Sequence, residues 1–369
     1  MKKLVAISVL FALLTGAAFA EVTFSGSVQS GFRLGFGDSY PNGEFSIRDF
    51  DVNGGARVNL NGAFTHSSGT AGGAFQIRAD WTGLSTGPVF QNRNAWLWFQ
   101  PMDILRIHIG RIDGDGFGTG SRVDTHNGVG GNGAIAAHLR FTPIDGLRVG
   151  LTFLQESAAL NTLKTPDIAF GFAYTMANTF RAVASARIVD LGAEKFQGMM
   201  LGFGLNILAL ADMGFSAISF DAEIGSLTLG LGKEGNDNAP IAIGQRITFA
   251  TGGLTITEEL RVDMGGSITK DEMAIRVRLD GSYKIDTITA GVGFGLGINR
   301  TQNGTDPRPW DGTNGAFTKD YMLLIVNPYL TFPLGGPNVT MGYSIAVGMP
   351  KTGDAVINNA IYATASISF

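Results

Sequence analysis

Apolar and polar residues alternate along almost the whole chain, and this pattern limits the folds that the chain can adopt. In 22–36, Val22, Phe24 and Phe32 fall on one side of an extended strand, whereas Thr23 and Arg33 fall on the other. The same rule holds in 72–81, 104–110, 147–153, 273–283 and 287–298. Alternation with a period of two is typical of strands, because successive side chains point to opposite faces. Convincing helical periodicity is absent after residue 20, so the sequence predicts an all-β protein.

The first 20 residues have the layout of a secretory signal peptide. Lys2 and Lys3 precede an apolar stretch, and Ala18-Phe19-Ala20 forms an A-x-A cleavage site. The apolar stretch is too short for a retained membrane anchor, which needs roughly 20 residues. No linker or change of composition divides the rest. The sequence therefore predicts a signal peptide over 1–20 and a single domain over 21–369.

Composition excludes several classes of function. The chain has no cysteine, so it can form neither disulfides nor thiolate metal sites. Removal of Lys2 and Lys3 with the signal peptide would leave 25 Lys and Arg against 31 Asp and Glu, a net charge of −6, which argues against a nucleic-acid partner. Charged residues make up only 16% of the chain. We expect no metal, and no cofactor motif is recognised.

Two kinds of protein show such alternation, a membrane β-barrel and a soluble β-sandwich. A sandwich would turn its apolar face inwards and would need a charged surface. Here the apolar face carries almost no charge, and the other face is rich in Gly, Ser, Thr and Arg. The pattern favours a transmembrane, antiparallel, up-and-down β-barrel.

Turn residues divide the barrel into strands. Tight turns are expected at 101–103, 143–146, 177–178, 251–253 and 333–337, and longer connections at 112–131, 157–166, 233–239 and 300–319. The pattern gives a count of 19 strands, but the stretch from Gln197 to Ser226 can be interpreted as one strand or as two. Bacterial single-chain barrels have an even number of strands. We therefore expect 16 or 18.

The chain ends in a strand whose last residue is aromatic. Ile361, Ala363, Ala365, Ile367 and Phe369 alternate with polar residues up to the carboxylate. Together with the signal peptide, this strand resembles those of bacterial outer-membrane β-barrel proteins. The resemblance implies an outer-membrane location, insertion into lipid, and an assembly machinery that reads Phe369 as its signal.

A second resemblance is narrower. The stretch "NRNAWLWFQPMDILRIHIGR" resembles the central hairpin of general porins, and 112–131 lies where those porins place the loop that folds into the pore. The resemblance implies a porin-like channel for passive diffusion of small hydrophilic solutes and no enzymatic activity, with a homotrimer as a candidate assembly. The alternatives are a transporter for hydrophobic solutes and a surface adhesin or structural barrel.

Charged residues inside the strands fall on the polar face. An arginine facing lipid at the membrane midplane would cost about 2–4 kcal/mol, so these side chains should line the lumen. The candidates are Arg33, Asp49, Asp51, Arg57, Arg78, Arg106, Arg148, Arg261, Arg276 and Arg278. Two interpretations stay open, a ladder of charges that supports the wall and a path that guides anionic solutes.

The connection 112–131 carries the candidate pore constriction. Asp113, Asp115, Arg122 and Asp124 would bring charges into the lumen if this loop folds inwards, and would lie outside if it is an ordinary external loop. A calcium loop is disfavoured because Phe117 stands where an oxygen ligand is needed.

Catalysis is also disfavoured. His108 and His138 are on the polar face, but no serine or pair of carboxylates is placed beside them by the sequence.

Overall fold

The computed structural model describes residues 19–38, 40–47, 56–81, 89–111, 135–155, 167–189, 198–227, 241–265, 272–300 and 317–369. The strands are Phe19–Gly37 (β1), Tyr40–Ile47 (β2), Ala56–His66 (β3), Ala71–Trp81 (β4), Val89–Met102 (β5), Leu105–Arg111 (β6), Ile135–Phe141 (β7), Leu147–Gln155 (β8), Asp167–Met176 (β9), Phe180–Val189 (β10), Gly198–Ile207 (β11), Phe215–Leu227 (β12), Ile241–Thr251 (β13), Leu254–Met264 (β14), Met273–Ile285 (β15), Ile288–Arg300 (β16), Phe317–Pro333 (β17), Asn338–Pro350 (β18) and Val356–Ser368 (β19). One 3-10 turn, Ala211–Met213, is the only helical segment in these ranges. None of the helical structure described is long and apolar enough to cross a bilayer.

The strands form one closed antiparallel barrel. From β3 onwards each strand pairs with the next along the chain, which is up-and-down topology. The first and last strands close the sheet, with a register that runs from Ser27 opposite Ser368 to Gly37 opposite Asn358. Because β1 pairs with β19, neither the first nor the last strand is left as a free sheet edge. The prediction of an all-β, antiparallel, up-and-down barrel is confirmed.

Strands β2 and β3 together occupy one position in the barrel. Strand β2 pairs with the second half of β1, between Phe32 and Gly37, and β3 pairs with the first half, between Phe19 and Ser30. Nineteen strands therefore fill 18 positions. The ambiguous stretch 197–226 contains two strands, β11 and β12, joined by a turn over 208–214. The even number is confirmed at 18.

The connections differ between the two ends of the barrel. At one end, here called the turn rim, the connections are the short segments 67–70, 103–104, 142–146, 177–179, 208–214, 252–253, 286–287 and 334–337. Two of these turns contain a residue with a positive φ angle, 56° at Asn178 and 77° at Gly146. Asparagine and glycine occur there because they tolerate this conformation best. The five tight turns expected from the sequence all lie at this rim. The opposite end is called the loop rim.

The two faces of the wall differ as the alternation predicts. On β8, Val149 and Phe153 are exposed on the outer face, while Thr152 between them is buried on the inner face. Large exposed side chains such as Phe172 and Phe294 continue the outer face around the barrel. The described strands form a single layer. Inner-face side chains pack against one another along the wall.

Candidate functional site on the inner face of the barrel

The described candidate residues share the inner face. These are Arg33, Arg57, Arg78, Arg106, Arg148, Arg261, Arg276 and Arg278, and the strand register also places Arg140, Arg181, Arg187 and Arg246 there. Arg140 was missed in the sequence, although its alternation with His138 marks the same face. Asp49, Asp51, Asp113, Asp115, Arg122 and Asp124 lie outside the described residues.

One ion-pair site joins β3 and β4. Arg57 Nε lies 2.9 Å from the Asp80 carboxylate, and Arg78 Nε lies 2.7 Å from it. Asp80 is buried, with 2% of its surface exposed. Two guanidinium groups around one carboxylate leave this site with a net positive charge. Because the site is buried, removal of either arginine or of Asp80 would leave a buried charge without part of its compensation.

A longer ladder of charges crosses β13, β14 and β15. Arg261 makes a 2.7 Å contact with Asp263. Glu259 lies between Arg246 at 3.4 Å and Arg278 at 3.7 Å, because these three residues are directly opposite one another in the register. The alternating signs neutralise much of the charge on this part of the wall.

Four further arginines lie together near the turn rim. Arg106, Arg140, Arg148 and Arg181 are each second or penultimate in β6, β7, β8 and β10, next to the tight turns. The Arg106 guanidinium lies 4.2 Å from the centre of the Trp98 ring and donates to Gln100. On β5 to β11, the described inner-face positions next to the turn rim carry no acidic residue, and the adjoining turns contribute Asp103, Asp145 and Asp212. Positive charge therefore dominates this arc, here called the turn-rim arginines.

The two inner-face histidines are directly opposite each other on β6 and β7. The His108 and His138 rings meet edge to face, with 5.6 Å between their centres. Trp96 stacks on His108 at 4.9 Å, and the His138 Nδ1 atom lies 2.7 Å from the Thr152 hydroxyl. Both histidines are buried, which suits a tightly packed part of the wall. The described residues contain no group of three or more potential metal ligands.

Tyrosine side chains cover glycines of neighbouring strands. Tyr362 lies over Gly342, and Tyr329 lies over Gly291. The Tyr362 hydroxyl accepts a hydrogen bond of 3.0 Å from Asn327, and the Tyr329 hydroxyl donates one of 3.0 Å to Asp280. Sequence reasoning missed these residues, because a single tyrosine in a strand does not show which neighbour it leans against.

Parts of the inner face near the loop rim are apolar. Leu154, Ala136 and Ala169 form one cluster with Trp96, and Leu323, Ile325 and Ala346 form another with Tyr321. Leu154 and Ile325 have no exposed surface. Apolar residues occur here on both faces of β8 and β17, so alternation gave no signal for these clusters.

The last residue continues the pairing of β19 with β1. Phe369 and Gly26 exchange two backbone hydrogen bonds of 2.8 and 3.0 Å. The Phe369 ring lies against Gly26, and two thirds of the residue's surface is exposed. The predicted assembly signal is therefore accessible at the turn rim.

Comparisons with known proteins identify the fold. No family model matches the chain, and no curated protein is significantly similar to it in sequence. Among solved structures it resembles OccD3 (OpdP) of Pseudomonas aeruginosa, with a TM-score of 0.55, 9% identity, and coverage of 96% of this chain and 92% of that one. It also resembles OccAB4 of Acinetobacter baumannii, with a TM-score of 0.54, 9% identity, and coverage of 95% and 99%. The outer membrane protein OpdK of P. aeruginosa gives a TM-score of 0.54, 9% identity, and coverage of 96% and 100%. The chain therefore has the barrel fold of these proteins.

Proposed function

We propose that the chain forms a channel in the bacterial outer membrane through which small hydrophilic solutes diffuse passively. The observation that carries this proposal is a closed barrel of 18 positions with an apolar outer face and a charged inner face. A barrel of this size is wide enough to hold an aqueous channel. The similar solved structures, which include the outer membrane protein OpdK, support the location.

The charge of the inner face favours small anions among these solutes. The ladder on β13 to β15 is largely compensated, whereas the turn-rim arginines form a positive arc at one end of the barrel. Fixed cations along a pore raise the local concentration of anions. In this proposal the ladder of ion pairs on β13 to β15 supports the wall, and the turn-rim arginines attract anionic solutes.

The assembly route is part of the proposal. The exported chain is inserted by the outer-membrane assembly machinery, which reads the strand that ends at Phe369, and its assembled form is a homotrimer. The exposure of Phe369 at the turn rim supports recognition from the periplasmic side.

Liposome swelling tests the proposed function. Purified, folded protein should admit small sugars into vesicles at rates that fall with increasing sugar size. Vesicles that contain heat-unfolded protein serve as the control. Folded protein that admits none of the sugars would contradict passive diffusion.

A transporter for hydrophobic solutes is the second candidate. The apolar clusters that contain Leu154 and Ile325 favour it, because they make this part of the inner face apolar, with the partly buried Trp96 and Tyr321 packed against them. Uptake of a long-chain fatty acid without uptake of sugars would support this candidate over the first.

A further inference from the structure

The outer face of the barrel carries a carboxylate that is hydrogen-bonded to an amide within its apolar surface. Gln245 on β13 donates a hydrogen bond of 3.1 Å to the Glu258 carboxylate on β14. Both side chains lie outwards, since Gln245 is opposite the exposed Phe220 and Glu258 is opposite the exposed Leu279. Glu258 is the fifth of 11 residues in β14, so the pair is far from either rim.

An acidic residue at this position is exceptional among the described strands. Among the described strand positions, the only other acidic residue on the outer face is Asp320, which is at the loop rim beside Lys351. Gln245 is the one described partner of Glu258. A carboxylate that faces hydrocarbon is unfavourable, and one amide bond satisfies only part of its capacity to accept hydrogen bonds. The arrangement therefore indicates that something other than lipid covers this face.

A groove lies next to the polar pair. Its volume is about 440 Å³, and its lining includes Gln245 itself. Large side chains of β11 to β13, such as Phe203, Phe220 and Ile243, stand beside the small residues Ala222 and Gly244, and this difference in size creates the depression. Grooves bordered by ridges allow two membrane-embedded walls to pack closely.

We propose that a second copy of this chain packs against the outer face of β11 to β14. Around a threefold axis beside the pair, the Gln245 amide of each copy would face the Glu258 carboxylate of the next, so the same donor–acceptor contact would repeat between all three copies. A lipid chain would fill the groove but has no group to bond the carboxylate. The inference rests on the proposed membrane location, and it assigns the subunit contact of the proposed homotrimer to these strands.

Single-cysteine cross-linking tests this contact, because the natural chain has no cysteine. Ile243→Cys places a thiol in the groove and leaves the polar pair intact. Leu97→Cys on β5, eight barrel positions away and also exposed on the outer face, is the control. Oxidation of full-length protein in native outer membranes should give a cross-linked dimer with Ile243→Cys and not with Leu97→Cys.

A filled groove provides a second test. Ala222→Trp, added to Ile243→Cys, should abolish the cross-linked band, whereas Ala290→Trp on the outer face of β16 should leave it unchanged. Folded protein in the membrane that cross-links equally at Ile243→Cys and Leu97→Cys, or at neither, would overturn the interface. Recovery of the chain outside the membrane fraction would instead contradict the proposed location.

Discussion

At the scale of single residues, two contacts connect neighbouring strands of the barrel wall. In each of them a tyrosine on the inner face lies over a glycine of the adjacent strand. At Gly342 an added Cβ atom would collide with the Tyr362 side chain. At Gly281 on the outer face, an added Cβ atom would meet nothing within 4 Å. The two glycines therefore have different roles, although both lie inside strands.

Substitution of these glycines by alanine should have opposite effects. Gly342→Ala should displace Tyr362 and weaken its bond to Asn327, at a cost of about 1–3 kcal/mol in the free energy of unfolding. Gly281→Ala should stabilise the barrel by about 0.5–1 kcal/mol, because glycine is unfavourable inside a strand. Urea unfolding in lipid vesicles measures both. Equal effects of the two substitutions would contradict the role given to Tyr362.

Phe369 is the second residue for which a single change should matter. Its deletion removes the last two hydrogen bonds to Gly26 and the proposed assembly signal. We expect less assembled barrel with unchanged export, whereas Phe369→Tyr, which keeps an aromatic end, should assemble normally. Heat-modifiable migration on gels reports the assembled fraction. Wild-type assembly of the truncated chain would contradict the signal.

At the scale of the strand, the alternation assigns each residue to lipid or to the lumen. Leu279 is the seventh of 13 residues in β15 and is exposed, and Ser282 on the same strand is on the inner face near Asp280. Leu279→Arg should reduce the free energy of unfolding by about 2–4 kcal/mol, because it turns a charge towards hydrocarbon. Ser282→Arg should be tolerated, because it adds a cation to a polar face. If vesicle-based unfolding shows the reverse order, the strand has been assigned inside out.

The strands also show how far the sequence predicts this structure. Alternation identified the faces of β1, β4, β6, β8, β15 and β16, and Pro, Gly and Asn identified the turns, because both signals are local. The shared position of β2 and β3 depends on which half of β1 each one pairs with, and local patterns do not contain that information. The inward direction of Trp96 and Trp98 was also hidden, because every residue from Ala95 to Phe99 is apolar.

At the scale of the whole molecule, the distribution of inner-face charge should set ion selectivity. Arg106→Gln combined with Arg148→Gln removes two charges from the turn-rim arginines and should shift the reversal potential towards cations. The shift should shrink at high salt, because the Debye length falls from about 10 Å at 0.1 M to about 3 Å at 1 M. Arg261→Gln combined with Asp263→Asn removes a 2.7 Å ion pair without changing the net charge, and should have little effect. An unchanged reversal potential in the first variant at low salt would exclude the turn-rim arginines from the path of the ions.

The central claim is that the closed barrel encloses a water-filled passage across the membrane, and single-channel recording tests it most directly. Folded, full-length protein added to a planar bilayer should produce discrete, uniform steps of conductance that increase with salt concentration. Protein unfolded by heat should produce none. Folded protein that inserts into the bilayer, shown by its protection from protease, and yet gives no steps would contradict the account.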